Sequence, residues 1–227
     1  MNKTFKWIGA VLALIAMLVF VVPFALPSRY RVVRTVTINA PPAAIHPSVN
    51  TLKEWPKWSA WTTERYPDMK ITYFGPESGV GAIDEFEGDS LGVHGKFEIT
   101  KSDPDEGIEY RLDFDDGNYV STGGIKYTPQ GAGTNVTWSN EGELGMNPIS
   151  RWCNALGMMD KMMGPDFETG LANLKKKVEA EAAEQPGGEQ PAGDTSAGEQ
   201  STDETPSTEE SAKEPAVEQP SAVTTEP

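Results

Sequence analysis

The chain has 227 residues and a formal net charge of −15 at pH 7. Residues 181–227 contain 12 acidic residues and one basic residue, Lys213, so they carry −11 of this charge and residues 1–180 carry only −4. The sequence contains no basic patch with interleaved aromatic residues, which argues against a nucleic-acid-binding protein.

The N-terminal region contains an apolar segment, Trp7 to Leu26, of 20 residues without a charge. About 20 apolar residues are needed for a helix to cross the hydrocarbon core of a bilayer. A cleaved signal peptide is the alternative, but the segment exceeds the usual apolar length of about 7–15 residues and no A-x-A site follows it. The sequence therefore predicts a membrane anchor in residues 1–28 of a single-pass membrane protein.

Basic residues flank both ends of this predicted anchor. Lys3 and Lys6 precede the apolar segment, and Arg29, Arg31 and Arg34 follow it. The rule that cytoplasmic flanks are richer in Lys and Arg therefore discriminates little between the two orientations. We favour a short cytoplasmic N-terminus and an extracytoplasmic (periplasmic) globular domain.

The middle of the chain predicts seven β-strands. In the first, residues 29–39, Tyr30, Val32, Val36 and Ile38 alternate with polar residues, as in a half-buried strand. Turn sequences such as Asp115-Asp116-Gly117 separate the later strands and are typical of antiparallel hairpins. The later strands are predicted at residues 69–74, 82–87, 93–101, 108–114, 119–128 and 134–141.

Two short helical segments are predicted between the first and second strands. Residues 43–52 can form a helix in which Pro47 marks a start or a joint. Trp55, Trp58 and Trp61 follow at a spacing of three residues. Because tryptophan side chains are costly to expose, we expect this segment to cover an apolar surface.

A long amphipathic helix is predicted from Pro148 to Val178. Its large apolar residues recur every three or four positions, which places them on one helical face. They are Trp152, Leu156, Met159, Met163, Phe167, Leu171, Leu174 and Val178. Proline within a helix removes a backbone donor and clashes with the preceding turn, so Gly164-Pro165 predicts a kink or a break near Met163.

These elements predict an α+β fold in one domain, residues 29–180. An antiparallel sheet with one solvated face must cover its other face, and the late helix is the only predicted element long enough to do so. The tail, residues 181–227, has no aromatic residue, Leu, Ile or Met. We expect it to be disordered, serving as a spacer or solubilising extension, or recruiting a protein partner.

Several local motifs accompany this order of elements. They include Thr37-Ile38-Asn39-Ala40-Pro41-Pro42, Trp55-Pro56-x-Trp58-Ser59-x-Trp61 and Met159-Asp160-Lys161-Met162-Met163-Gly164. Over residues 29 to about 178 the chain resembles the START-like and birch-pollen-allergen helix-grip superfamily (SRPBCC), and within it the bacterial polyketide cyclase/dehydrase and lipid-transport proteins. The resemblance implies a curved antiparallel sheet of about seven strands wrapped on a long C-terminal helix, with two short helices after strand 1. Members of this superfamily are carriers of lipids and other hydrophobic molecules, with a few enzymes.

The resemblance also implies a cavity between the sheet and the long helix, and alternation along the elements selects its lining. Candidate ligand-binding residues are Asp84, Phe86, Phe97, Tyr110, Trp138, Trp152, Met159 and Met163. Flexible methionine side chains suit a wall that adapts to varied apolar ligands, although a packed core in which methionine fills gaps is the alternative. Asp84 shares the face of Phe86, although the pattern alone favours a solvated strand end.

We expect the domain to bind a hydrophobic small molecule or lipid without catalysis, in a cavity large enough for an acyl chain or a fused ring. His94 alternates with charged residues on the predicted solvated face, His46 is isolated, and Cys153 resembles a small buried apolar residue. No metal site and no cofactor are predicted. A cyclase or hydratase that uses a cavity carboxylate such as Asp84 is the alternative, and a scaffold that acts through the acidic tail is another.

Overall fold

The structure is a computed structural model that describes residues 3–90, 92 and 94–184. The predicted disordered tail therefore lies outside the described residues from position 185 onward, and so does Val93 at the start of a predicted strand. Residues 181–184, which were assigned to the tail, instead continue the last helix to Glu184.

The apolar N-terminal segment forms helix α1, Lys3–Phe20, followed by a 3₁₀ helix, Val22–Ala25. None of the α1 residues is buried. Among the described residues this is the one helical stretch that is long and apolar enough to cross a membrane, a property that membrane spans share with signal sequences.

Seven strands form one antiparallel sheet in the spatial order β1-β7-β6-β5-β4-β3-β2. Strands β2 to β7 follow one another as a meander, and β7 also pairs with β1, so the sheet contains two edge strands, β1 and β2. The strands are β1 Arg29–Ile38, β2 Lys70–Phe74, β3 Ile83–Glu87, β4 Gly95–Asp103, β5 Gly107–Phe114, β6 Tyr119–Gln130 and β7 Gly133–Glu143. The predicted strands are confirmed to within a few residues at each end.

Five helical segments accompany the sheet in the described part of the globular domain. Helix α2, Pro42–Asn50, and the 3₁₀ helix Leu52–Lys57 connect β1 to β2, and a single 3₁₀ turn, Asp115–Gly117, connects β5 to β6. Helices α3, Pro148–Ala155, and α4, Met158–Glu184, follow β7. This arrangement confirms the predicted α+β helix-grip fold.

Helix α4 covers the sheet with the second half of the predicted apolar stripe. The buried residues of this stripe are Phe167, Leu171, Leu174 and Val178, and at most 2% of the surface of each residue is exposed. Burying an apolar side chain of this size contributes about 1.5–3 kcal/mol to the free energy of unfolding. These four residues therefore contribute strongly to the stability of the packing between α4 and the sheet.

The interruption of the predicted long helix lies at Leu156-Gly157 and not near Met163. Gly157 has a φ angle of 70°, a left-handed conformation that glycine adopts without a steric cost and that ends helices. Helix α4 continues through Pro165. On either side of the proline, Gly164 is buried against Arg34 and Phe167 is buried against Trp138. This tertiary packing outweighs the lost backbone hydrogen bond. Leu156 precedes the break and does not join the buried face, since 64% of it is exposed.

The strand register places side chains in rows across the concave face of the sheet. One row contains Tyr73, Asp84, Phe97, Leu112 and Ser121, each opposite the next. The neighbouring row contains Ile71, Phe86, Gly95, Phe114 and Tyr119. Ser121 of the first row pairs with Gly142, which pairs with Tyr30 near the start of β1. The second row lies one step further in that direction, at the end of the sheet where β1 follows the apolar N-terminal segment.

Candidate functional site

An apolar cavity of about 160 Å³ lies between the sheet, α4 and residues 55–61, called here the Trp55 segment. Its lining passes from buried to half-buried side chains, so it reaches the protein surface. The buried lining residues are Trp55, Ser59, Met69, Phe97, Tyr110, Trp138, Asn140 and Phe167, and the half-buried ones are Pro56, Trp61, Ile71, Tyr73, Asp84, Phe86, Leu112, Phe114 and Met163.

The size of this cavity limits what it can hold. A dry apolar cavity of about 150 Å³ accommodates a molecule of the size of benzene, whereas drug-sized ligands occupy about 300–1,000 Å³. The cavity therefore matches a single ring or a short acyl segment. The expected space for a complete acyl chain or a fused ring is not present in this conformation.

Tryptophan side chains occupy much of the space beneath α4, which explains the small volume. The ring centroid of Trp55 lies 4.8 Å from that of Trp58 and 5.6 Å from that of Trp138. The indole nitrogens of Trp55 and Trp58 donate hydrogen bonds of 2.8 and 2.9 Å to the backbone carbonyls of Val49 and Ser48. These bonds to α2 hold both rings in place, and the segment covers an apolar surface as predicted.

The wall formed by α4 is joined to the sheet by a stacked aromatic pair. The rings of Trp138 and Phe167 are nearly parallel, with centroids 4.2 Å apart and an interplanar angle of 4°. Gly170 follows one turn later, and a Cβ atom at that position would lie only 2.9 Å from Cζ3 of Trp138. The glycine therefore allows the helix to approach the indole ring closely.

The polar groups at the inner end of the cavity are bonded to one another. Trp138 Nε1 donates to the Tyr110 hydroxyl at 3.0 Å, the Tyr30 hydroxyl donates to Asn140 Oδ1 at 3.0 Å, and Asn140 Nδ2 donates to Ser121 Oγ at 3.2 Å. Burial raises the pKa of Tyr110 and of Tyr30, so both hydroxyl groups keep their protons at neutral pH. A satisfied network of this kind fixes the shape of the cavity wall.

Asp84 supplies the one carboxyl group among the lining residues. It lies on β3 opposite Tyr73 of β2 and Phe97 of β4, and is half-buried. Burial alone raises the pKa of its carboxyl group to about 7, since no cation and no donor among the described residues stabilises the charged form. The pKa of Tyr73 is raised in turn by burial and by the charge of Asp84. Asp84 is thus the second residue of β3, and its half-buried side chain lines the cavity.

The structure brings together six of the eight candidate ligand-binding residues. Asp84, Phe86, Phe97, Tyr110, Trp138 and Met163 all line the cavity. Trp152 does not, because the break at Gly157 places it in α3, apart from the α4 face that covers the sheet. Met159 lies in the first turn of α4 and is also outside the lining. The indole nitrogen of Trp152 instead donates to the carbonyl of Val19 in α1. The part of the predicted wall from Trp152 to Met159 therefore lies away from the cavity.

Several lining residues were missed in the sequence. Trp55 and Trp61 were recognised as covering residues but not as cavity lining, although their apolar bulk was a signal for it. Asn140 follows Trp138 by two positions on the same strand, so alternation alone places both side chains on one face. Met69, Ile71 and Tyr73 alternate along the predicted strand 69–74, so alternation places these three lining residues on one face as well.

The remaining titratable groups lie elsewhere. His94 is exposed, and its ring nitrogens lie 3.8 Å from Asp115 and 3.6 Å from Asp116, in agreement with the predicted surface position. His46 is buried beside Ser102 and Tyr127, and burial lowers its pKa, so it is neutral at pH 7. Within residues 3–90, 92 and 94–184, no group of three or more His, Cys, Asp or Glu side chains is arranged to hold a metal ion.

The fold of the chain is similar to those of several solved structures. The di-domain ARO/CYC StfQ from the steffimycin biosynthetic pathway has a TM-score of 0.52 at 13% identity, covering 68% of this chain and 52% of that chain. TTHA0849 from Thermus thermophilus has a TM-score of 0.48 at 19% identity, covering 67% and 99%. Ara h 8.0201 has a TM-score of 0.45 at 13% identity, covering 67% and 99%. At 13% identity the likeness to StfQ shows the fold alone.

No curated protein shows significant sequence similarity to the chain. The family model described as polyketide cyclase / dehydrase and lipid transport, however, matches residues 29–179, which comprise the entire sheet and most of α4. The chain therefore belongs to the polyketide cyclase / dehydrase and lipid transport family of the helix-grip superfamily.

Proposed function

We propose that the protein binds a small, mainly apolar molecule in the cavity beneath α4, with a hydroxyl or amine group of that molecule donating a hydrogen bond to Asp84. The observation that carries this proposal is a single carboxyl group in a lining that is otherwise mostly apolar and aromatic. Membership of a family that includes lipid-transport proteins supports the apolar part of the assignment.

The size and chemistry of the lining define the ligand class. Aromatic rings and Met163 contribute apolar contact, and a volume of about 160 Å³ selects one ring or a short acyl segment. A half-buried carboxyl group without a bonding partner among the described residues favours a ligand that supplies a donor, because a polar group that a bound ligand desolvates without pairing costs about 1–3 kcal/mol. A ligand without a donor would leave Asp84 unsatisfied.

A matched pair of probes tests this assignment. We expect 4-fluorobenzyl alcohol to bind the full chain more tightly than 4-fluorotoluene, as measured by ¹⁹F NMR titration. Asp84→Leu, which removes the acceptor, should abolish this preference, whereas Asp84→Asn, which keeps an acceptor oxygen, should retain part of it. Glu85→Gln on the exposed face of the same strand is the control. Equal binding of both probes to the wild type would refute the role of Asp84.

A variant that fills the cavity tests the location of binding. Met163 lines the cavity from α4 and is half-buried, so Met163→Trp places an indole in the available volume without opening the core. We expect this variant to lose binding of both probes while its circular dichroism spectrum stays unchanged. Retained binding by a folded Met163→Trp protein would place the ligand elsewhere.

A second function, a cyclase or hydratase, is favoured by the pKa of about 7 for Asp84. A carboxyl group that titrates near neutral pH can accept and return a proton during catalysis. The corresponding activity is proton abstraction beside a carbonyl group. Deuterium incorporation from D₂O into cyclohexanone, catalysed by the wild type and lost in Asp84→Asn, would support the enzyme. Binding without exchange would support the carrier.

We further propose that α1 anchors the protein in a bilayer with the globular domain on the extracytoplasmic side. The length and apolar composition of Lys3–Ala25 support this anchor. The chain should remain in the membrane fraction after alkaline extraction, and deletion of residues 1–28 should release it. An impermeant thiol reagent should label a Val80→Cys variant in intact cells. Labelling only after lysis would reverse the orientation.

A further inference from the structure

The residues between β7 and α4 form a nearly uncharged surface segment. Leu144–Met159, called here the α3 segment, contains 16 residues and one charge, Arg151. Met146 is 70% exposed, Ile149 67% and Leu156 64%. Other large apolar residues exposed on the described globular part include Phe74 at the end of β2, Val80 in the loop that follows it and Tyr119 at the start of β6. Scattered apolar residues need no explanation, but a concentrated group marks an interaction surface.

The α3 segment is bonded directly to the end of the apolar N-terminal helix. The indole nitrogen of Trp152 donates to the carbonyl of Val19 at 3.2 Å. The guanidinium group of Arg151 donates to the carbonyls of Pro23 and Phe24 at 3.4 and 3.3 Å. The single charge of the segment is therefore buried and bonded inward, towards the end of α1. What the segment presents outward is uncharged.

We infer that the α3 segment lies in the headgroup region of the bilayer that α1 crosses, with Met146, Ile149 and Leu156 inserted among the lipids. This inference rests on the proposed anchoring by α1. Interfacial helices bury their apolar side about 5–10 Å into the boundary between headgroups and acyl chains. Trp152 lies at the depth where the last turn of α1 leaves the hydrocarbon, and tryptophan is enriched at that level.

This position brings the cavity close to the lipid surface. Phe86 and Phe114 are half-buried residues of the cavity lining. Both lie in the second row described above, at the end of the sheet where Arg29 follows the anchor. Met163 follows the α3 segment by one turn of α4 and lines the cavity. An apolar ligand therefore has a short path between the bilayer and the cavity.

Depth-dependent fluorescence quenching tests the inference in the full chain. The native Cys153 is replaced by serine, and single cysteines at Ile149, Leu156, Leu14 or Val80 are labelled with the fluorophore NBD. The proteins are reconstituted into vesicles of phosphatidylcholine and phosphatidylglycerol that carry a doxyl quencher near the headgroup or deep in the acyl chain. Leu14 reports on the anchor, and Val80 lies at the far end of the sheet.

We expect the labels at Ile149 and Leu156 to be quenched several-fold more than the label at Val80, and more by the shallow than by the deep quencher. The label at Leu14 should be quenched more by the deep quencher. Quenching at Leu14 with none at Ile149 and Leu156 would overturn the interfacial position and leave the anchor standing. Absence of quenching at all four positions would overturn both.

A measurement on the unaltered chain covers the case in which the serine background does not fold. Met146 and Met17 of α1 are both largely exposed in the protein itself, so only lipid can shield them from water. Hydroxyl radicals generated outside the same vesicles should oxidise Met146 nearly as slowly as Met17. Oxidation of Met146 several-fold faster than of Met17 would show that the α3 segment faces water and would overturn the inference.

Discussion

The indole of Trp138 and the ring of Phe167 lie face to face, with centroids 4.2 Å apart and planes within 4° of each other. Trp138 belongs to β7 and Phe167 to α4, so the contact between sheet and helix is also part of the cavity wall. Stability and ligand capacity are consequently coupled at this pair, because a smaller side chain loosens the core and enlarges the cavity.

Replacement of Phe167 should therefore have two opposite effects. Phe167→Ala should lower the free energy of unfolding by about 3–5 kcal/mol, because it removes a fully buried ring and leaves a void. The milder Phe167→Leu should stay folded and bind a larger apolar probe than the wild type does. Urea unfolding and titration with naphthalene measure the two effects. Phe74→Ala, at a half-exposed position of β2, is the matched control and should change stability by less than about 1 kcal/mol.

Gly170→Ala should destabilise the protein despite the higher helix propensity of alanine. In an exposed helix interior, glycine is less favourable than alanine by about 1 kcal/mol. At this position, however, the new Cβ would lie 2.9 Å from Cζ3 of Trp138, whose ring is confined by its neighbours. The indole must shift into the cavity, so we expect lower stability and weaker binding of small aromatic probes. Ala172→Gly, on the exposed side of α4, reports the propensity effect alone, and a Gly170→Ala protein more stable than wild type would contradict the close contact.

The sequence predicted the fold better than the site, and particular residues explain why. Alternation along β1 and the spacing of Phe167, Leu171, Leu174 and Val178 depend only on local periodicity, so they were sufficient for the strands and for the buried face of α4. The sequence offered two positions for the helix break, Gly157 and Pro165. The helix continues through Pro165 because Gly164 packs against Arg34. Local pattern contains no information about that contact.

The same limitation applies to the cavity. Strand alternation placed Phe86, Phe97, Tyr110 and Trp138 on one face, and all four line the cavity. Its volume depends on how far the Trp55 segment folds inward, which is set by hydrogen bonds between indole nitrogens and α2 carbonyls. Trp152 and Met159 were included in the predicted lining because the helix was taken as continuous through Gly157. The break accounts for the position of Trp152 in α3, whereas Met159 lies in the first turn of α4, outside the lining.

Asn140 should contribute to stability through its place in the buried polar network. Its side chain accepts a hydrogen bond from Tyr30 and donates one to Ser121, and no part of the residue is exposed. Asn140→Ala should cost about 1–3 kcal/mol, because the partly buried Tyr30 hydroxyl and the Ser121 hydroxyl lose their partner. Tyr30→Phe should partly compensate in the double variant, since it removes the stranded hydroxyl. Asn135→Ala, on the opposite face of β7, is the control, and equal losses at the two positions would argue against the network.

The buried carboxyl group of Asp84 should make stability fall as the pH rises through the weakly acidic range. Burial raises the pKa of Asp84 from an ordinary value of 3.8 to about 7 in the folded protein. Between these values the unfolded chain has released the proton while the folded protein retains it, so the unfolded state binds fewer protons and rising pH favours unfolding. Each pH unit in this window costs at most about 1.4 kcal/mol. Above about pH 7 both states are ionised and the effect levels off.

The difference in unfolding free energy between the wild type and Asp84→Asn isolates this contribution from that of the other carboxylates. Many surface acids, such as Asp160 beside Arg34, have a lowered pKa and act in the opposite direction. We expect the wild type to lose stability relative to the variant from about pH 4 to about pH 7, and the difference to be constant at higher pH. Urea unfolding of both proteins across this range, with Glu85→Gln as the exposed control, provides the measurement. A difference independent of pH would mean that the pKa of Asp84 is not raised and that its carboxyl group is ionised and solvated in the folded state.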